Sequence, residues 1–122
     1  MSSSLADQQC VPCKGGVPPL TPEQIAPLHA QLEPGWEVVE HKRLTRTYRF
    51  KNFAEALAFA NAVGAIAEEQ GHHPDLLVRW GSVRVDVWTH KIDGLTESDF
   101  YFAAKCDRAY AQHQAARAAA SS

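Results

Sequence analysis

The stretch Glu68-Glu69-Gln70-Gly71-His72-His73-Pro74-Asp75 decides how this chain is read, because a long apolar helix must stop inside it and a strand must begin. Gly71 suits the left-handed position just past a helix end, and Pro74 steers His73 away from helical geometry. Two imidazoles are therefore fixed on a rigid corner, with Glu68 about one helical turn upstream.

Downstream of the corner, Leu76–Trp80 and Val83–Thr89 alternate apolar and polar residues on either side of Gly81-Ser82, a good two-residue hairpin turn. That register sets Trp80 opposite Val83, Val78 opposite Val85 and Leu76 opposite Val87, making one face all core, Trp80 included. The other face pairs Arg79 with Arg84, Leu77 with Asp86 and Asp75 with Trp88. Carried to the strand ends, the same register sets His73 opposite His90, with Cβ atoms about 4.5–5.5 Å apart. Upstream of the corner, the helix opens at a capping box, Asn52-Phe53-Ala54-Glu55, and runs to Gln70. Phe53, Leu57, Ala60 and Gly64 form one stripe of it, with Phe59, Val63 and Ile66 beside them. Its small residues allow close packing on a sheet or on a second copy.

Further upstream, Trp36–Glu40 and Leu44–Phe50 read as two strands joined by a polar turn around His41-Lys42-Arg43. Before them, Thr21 and Gln24 form a capping box with Pro22 at the first helical position and Leu20 and Ile25 placed as a staple. Pro27 keeps that helix short or bent, ending before Pro34-Gly35. The last helix starts at Thr96, where a capping-box-like pair with Asp99 accounts for that carboxylate and Leu95 can staple to Phe100. Helix, two strands, helix, two strands, helix predicts an α+β domain: a four-stranded antiparallel sheet with helices packed on one face. Residues 1–19, rich in Ser, Gly and Pro, are expected to be a flexible, irregular tail; 20–115 form the single domain, and 116–122 are an Ala/Ser-rich C-terminal tail.

With 122 residues and a net charge of −2, the chain suits one domain and has no electrostatic footprint for nucleic acid or an anionic membrane. No apolar run approaches the roughly 20 residues needed to span a bilayer, and the N-terminus lacks the basic start and apolar core of a signal peptide. A cytoplasmic protein is expected. Its three cysteines make no disulfide framework. Cys10-Val11-Pro12-Cys13 has the spacing of half a zinc site, but no second pair follows at knuckle distance, so the two read as free thiols in the tail.

Three imidazoles, His72, His73 and His90, gathered beside Glu68 favour acid–base work over metal binding. Adjacent residues such as His72 and His73 tend to diverge, whereas catalytic zinc needs three protein ligands on one centre. Imidazole titrates near neutrality, so one ring can both donate and accept a proton. Glu68 could favour the imidazolium form or hydrogen-bond a substrate amine. Trp88 beside His90 could stack on a flat ring or plug a subunit interface.

Glu68, His72-His73-Pro74, the aromatic Trp80, Thr89-His90 and Asp99, at these intervals and with Gly94-Leu95-Thr96, resemble the pterin-4a-carbinolamine dehydratase family over about residues 20–110. The resemblance implies dehydration of 4a-hydroxytetrahydropterin to quinonoid dihydropterin, recycling a tetrahydrobiopterin-type cofactor after aromatic amino acid hydroxylation. It implies no metal and no redox cofactor, the pterin being the substrate. His72 and His90 would be the acid–base pair, and His73 would mainly bind and orient the pterin as a third member of the catalytic set. Glu68, Pro74, Trp88, Thr89 and Asp99 would complete the pterin-binding set, although Trp88 stands where the family pattern has a small residue. Homodimers or homotetramers are implied, with possible coupling to an aromatic amino acid hydroxylase. The alternative is a non-catalytic dimerisation or transcription-cofactor module on the same scaffold. A zinc-dependent hydrolase is a third reading.

Overall fold

The computed structural model describes residues 5–11 and 18–121. Helix α1 spans Pro22–His29, strand β1 Glu37–Val39, β2 Arg43–Arg49, helix α2 Phe53–Gln70, β3 Asp75–Arg79, β4 Ser82–Val87 and helix α3 Glu97–Ser121, with 3-10 turns at Leu5–Asp7 and His90–Ile92. The strands form one antiparallel sheet in the order β1-β2-β4-β3. The α+β class, with helices packed on one face of the sheet, is as expected.

Local sequence explains the boundaries. Thr21 and Gln24 exchange both bonds of a capping box at the start of α1. At α2 Asn52 Oδ1 accepts the Glu55 N–H at 2.9 Å, and the Glu55 carboxylate lies 3.4 Å from His113 on α3. The β1–β2 turn has Glu40 and His41 at φ 52° and 60°, and Lys42 N–H donates to Val39 C=O at 2.9 Å. These positive angles match the strand twist of a tight hairpin.

Leu44 and Tyr48 of β2 and Val83, Val85 and Val87 of β4 point into the core, all at 1 % exposure or less, against Ala56, Phe59, Ala60, Val63 and Ala67 of α2 and Phe100, Phe102, Ala103 and Cys106 of α3. Each large side chain so buried contributes about 1.5–3 kcal/mol relative to exposure. Phe59 anchors α2, its ring 4.7 Å from that of Tyr48 and 5.1 Å from that of Phe50. The expected stripe is therefore rotated. Phe53 and Leu57 lie at its edge and stay exposed, at 46 % and 43 %.

Three further expectations are corrected. The β3–β4 hairpin pairs Arg79 with Ser82, Val78 with Val83 and Leu76 with Val85, so Trp80-Gly81 is the turn. Trp80 leaves the core for the tip, 70 % exposed. The pairing ends at Asp75 and Asp86, so His73 does not face His90 across the ladder. The slip is by two residues, which keeps each side chain on its expected face. At the C-terminus, α3 continues through the Ala/Ser-rich segment to Ser121. At the N-terminus, Leu5–Asp7 is a 3-10 turn packed on α3, with Leu5, Ala6 and Cys10 buried. Cys10 is thus not a thiol in an irregular tail; Cys13 lies outside the described residues.

Candidate active site

Gly71 ends α2 in the left-handed conformation, at φ 64° and ψ 30°, and the Gly71 and His72 N–H groups both reach the Ala67 carbonyl. This cap reverses the chain and sends the two imidazoles apart. His72 turns inward, its side chain 13 % exposed. Its Nε2 lies 2.5 Å from Asp99 Oδ1 and its ring packs 5.9 Å from Phe102. His73 turns outward, with Nε2 2.5 Å from Glu68 Oε2, and both partners are open to water. An exposed pair of this kind adds about 0–1 kcal/mol to stability, so its value lies in orienting the ring.

Asp99 sits in the first turn of α3 and is completely buried. Its Oδ2 accepts from Thr96 N–H at 2.9 Å, the expected cap, and from Thr89 Oγ1 at 2.8 Å. Its Oδ1 serves His72. The carboxylate is thus shared between the helix end and the imidazole. Both its oxygens are engaged by protein groups, two of which, His72 and Thr89, line the cleft described below. A carboxylate behind Nε2 holds one tautomer and stabilises the imidazolium when it forms. Among the described residues the imidazole is held through Nε2 alone.

His90 arrives by a route the hairpin register did not predict. Thr89 and Gly94 form an isolated bridge, and between them His90–Ile92 makes a 3-10 turn closed by Asp93 at φ 47°. The His90 ring rests 4.4 Å from the Trp88 ring, and Arg43 lies over Trp88 at 4.6 Å. Gly71, His72, His73, Trp88, Thr89, His90 and Lys91 line one cleft of about 230 Å³.

The structure therefore gathers His72, His73, His90, Trp88 and Thr89 around one opening. Glu68 stands at its margin through His73, and half-buried Pro74 shapes the corner without lining the cleft. Trp80, at the far end of β3, is roughly 20 Å along the strand from His73. Lys91 was missed, and its only signal was its place beside His90 on the same turn. Among the described residues no three His, Cys, Asp or Glu side chains converge as metal ligands, and no helix is long and apolar enough to cross a membrane.

Two thiols, Cys10 and Cys106, are buried in the fold. Burial pushes the Cys10 thiol up to about 11, helped by the Asp99 carboxylate and opposed by Lys105. Burial raises Cys106 as well. Neither is poised as a nucleophile.

Comparison with known proteins places the chain in a family. A protein of Rubrobacter xylanophilus, provisionally named a pterin-4-alpha-carbinolamine dehydratase, is 62 % identical over 106 residues, covering 87 % of this chain and 98 % of its own. A protein of Alkaliphilus metalliredigens with the same provisional name is 49 % identical over 106 residues, covering 87 % and 96 %. The crystal structure of a transcriptional coactivator/pterin dehydratase from Brucella melitensis superposes with a TM-score of 0.70 at 30 % identity, covering 75 % of this chain and 98 % of that one. The model of the family described as pterin 4 alpha carbinolamine dehydratase matches residues 18–109, a span that takes in the His72–His73 corner, the turn bearing His90 and the Asp99 cap. This chain belongs to that family.

Proposed function

We propose that the protein dehydrates 4a-hydroxytetrahydropterin to quinonoid dihydropterin by histidine acid–base catalysis, regenerating a tetrahydropterin cofactor after aromatic amino acid hydroxylation. The observation that carries this reading is a carboxylate-backed imidazole, His72 on Asp99, lining the same cleft as a second imidazole, His90. The reaction breaks the C4a–O bond, whose electron pair leaves with the oxygen as a proton is delivered to it, forming water. The N5 lone pair forms the C4a–N5 double bond, and the N5 proton is then removed. One acid and one base on opposite sides of a flat ring suffice. The C4a stereoisomer selects which of His72 and His90 protonates the departing oxygen. His73, held by Glu68, binds and orients the pterin edge. Trp88 offers a flat wall, and Thr89 fixes Asp99 from behind.

Dehydration of freshly generated 4a-hydroxytetrahydropterin tests this. The wild type accelerates it, and His72→Ala loses about 10²–10⁴-fold in kcat, the range for one positioned acid or base. A wild type that binds the pterin without accelerating its dehydration would instead support the non-catalytic module. An exposed apolar face on α2, with Phe53 and Leu57, and the edge strand β3, with Leu76, Leu77 and Trp80 beyond it, support a homodimer or homotetramer. Two buried thiols without a disulfide among the described residues suit a reducing cytoplasm.

A further inference from the structure

Residues 5–11 have no part in the acid–base chemistry, yet they are moored with unusual care. Lys105 Nζ donates to Ala6 C=O at 2.7 Å and Arg108 pairs with Asp7 at 2.7 Å, which lays the segment along α3. At Cys10 and Val11 the bonds become directed. Cys10 N–H donates at 2.9 Å to Oε1 of Gln70, the buried last residue of α2 and two residues before His72. Val11 N–H donates at 2.8 Å to Oγ of Ser98, the neighbour of Asp99, and the Ser98 hydroxyl donates back to Val11 C=O at 3.3 Å. The Cys10 thiol completes the set on Ser98 C=O at 3.5 Å. Where the described chain resumes, Leu20 N–H donates to Leu95 C=O at 2.9 Å. Pro19 there packs so tightly on Gly94 that a Cβ on the glycine would fall 2.6 Å from it. The turn that carries Thr96 and Asp99 is thus held on both flanks.

The His72–Asp99 bond joins the C-terminal corner of α2 to the first turn of α3, beyond the stretch where the two helices pack through Phe59 and Tyr110. Helix ends fray at low cost unless their polar groups are tied. Gln70 and Ser98 are the residues on each end that the N-terminal segment ties, and both are buried, so releasing them leaves polar groups unpaired away from water. We propose that Cys10–Val11 is a positioning strap: by gripping Gln70 and Ser98 it sets the separation of the α2 corner from the α3 turn, and so the alignment of His72 on Asp99. This rests on the reading of His72 as an acid–base group. Cys10, Gln70 and Ser98 touch no substrate; they act through His72.

The test compares full-length wild type, Gln70→Leu and Ser98→Ala, with Ala60→Gly as a control that weakens α2 in its middle. Two readouts are taken across the pH range in which imidazole titrates: steady-state dehydration kinetics, and the His72 ring titration by NMR. Each strap variant is expected to lose about 10-fold in kcat with KM changed less than about 2-fold, as for a misaligned group that acts in the transition state. The titration midpoint of His72 and the limb of the pH–rate profile move together in both variants and stay put in Ala60→Gly. Wild-type kcat and an unmoved His72 titration in the folded variants overturn the strap. Should Gln70→Leu fail to fold, Ser98→Ala, which removes one hydroxyl, decides alone. A wild type without dehydratase activity would refute the functional reading, while the ring titration still decides the strap: a midpoint moved by the variants supports it and an unmoved one overturns it.

Discussion

Asp99 and Asp107 are the same residue type on the same helix, eight residues apart, with side chains 0 % and 10 % exposed. Their surroundings make them different devices. Asp107 accepts from Trp36 Nε1 at 2.9 Å, Arg46 at 2.6 Å and Tyr48 Oη at 2.6 Å, tying α3 to β2 and to the chain entering β1. Arg46 also lies over the Tyr48 ring at 4.4 Å. Every partner there is a fixed donor at neutral pH, and none lines the cleft. Asp99 gives one oxygen to fixed donors and the other to an imidazole that does line it. A buried carboxylate becomes part of a site when a partner can change charge and meet a ligand.

The largest effect that would break this contrast is on stability. Asp107→Ala leaves Arg46 sheltered without its partner, and breaking a buried pair in this way costs about 3–5 kcal/mol. The melting temperature should fall by about 10 °C or more while kcat of the folded fraction holds. A large loss of kcat with an unchanged melting temperature would erase the distinction between the two carboxylates. Next comes Asp99→Asn, which keeps the shape but withdraws the charge behind His72; kcat should fall about 10²-fold, with stability lowered by about 1–3 kcal/mol as an amide N–H₂ meets a buried donor where a carboxylate oxygen stood.

The smallest effect concerns the thiol behind the Asp99 node. The Cys10 pKa rises from 9.0 to about 11 in the fold, so the folded chain keeps a proton that the unfolded chain has released. Its contribution to stability is complete below about pH 9 and declines as pH climbs through the folded value. Urea midpoints should drop over that interval, and Cys10→Ala should flatten the drop. An equal slope in the variant would assign the alkaline loss to other groups, of which Tyr48, also raised by burial, is the first to examine.

Much of this was legible in the residues, for identifiable reasons. Thr21 with Gln24, Asn52 and Gly71 act through bonds within four residues of themselves, so local sequence suffices to find them. The face of each strand was legible because alternation has a period of two. For the same reason the register was not: alternation cannot distinguish a turn at Gly81-Ser82 from one at Trp80-Gly81. His90 was assigned to the site through a ladder that does not extend that far, and it reaches the cleft through the Thr89–Gly94 bridge instead. The His72–Asp99 pair spans 27 residues and the Cys10–Gln70 bond 60, and no local pattern encodes such meetings. Asp99 was read as a cap, which it is. Its second duty depends on where α2 ends in space.

The slipped hairpin also bears on how the chain can change length. Its tip at Trp80-Gly81 stands at the end of the sheet away from the cleft, and its faces are indifferent to shifts of two. Pairs of residues could be gained or lost there over generations while the His72–His73 corner stays where it is. For anyone wishing to display a peptide or fluorophore on this scaffold, the tip is the natural place of attachment.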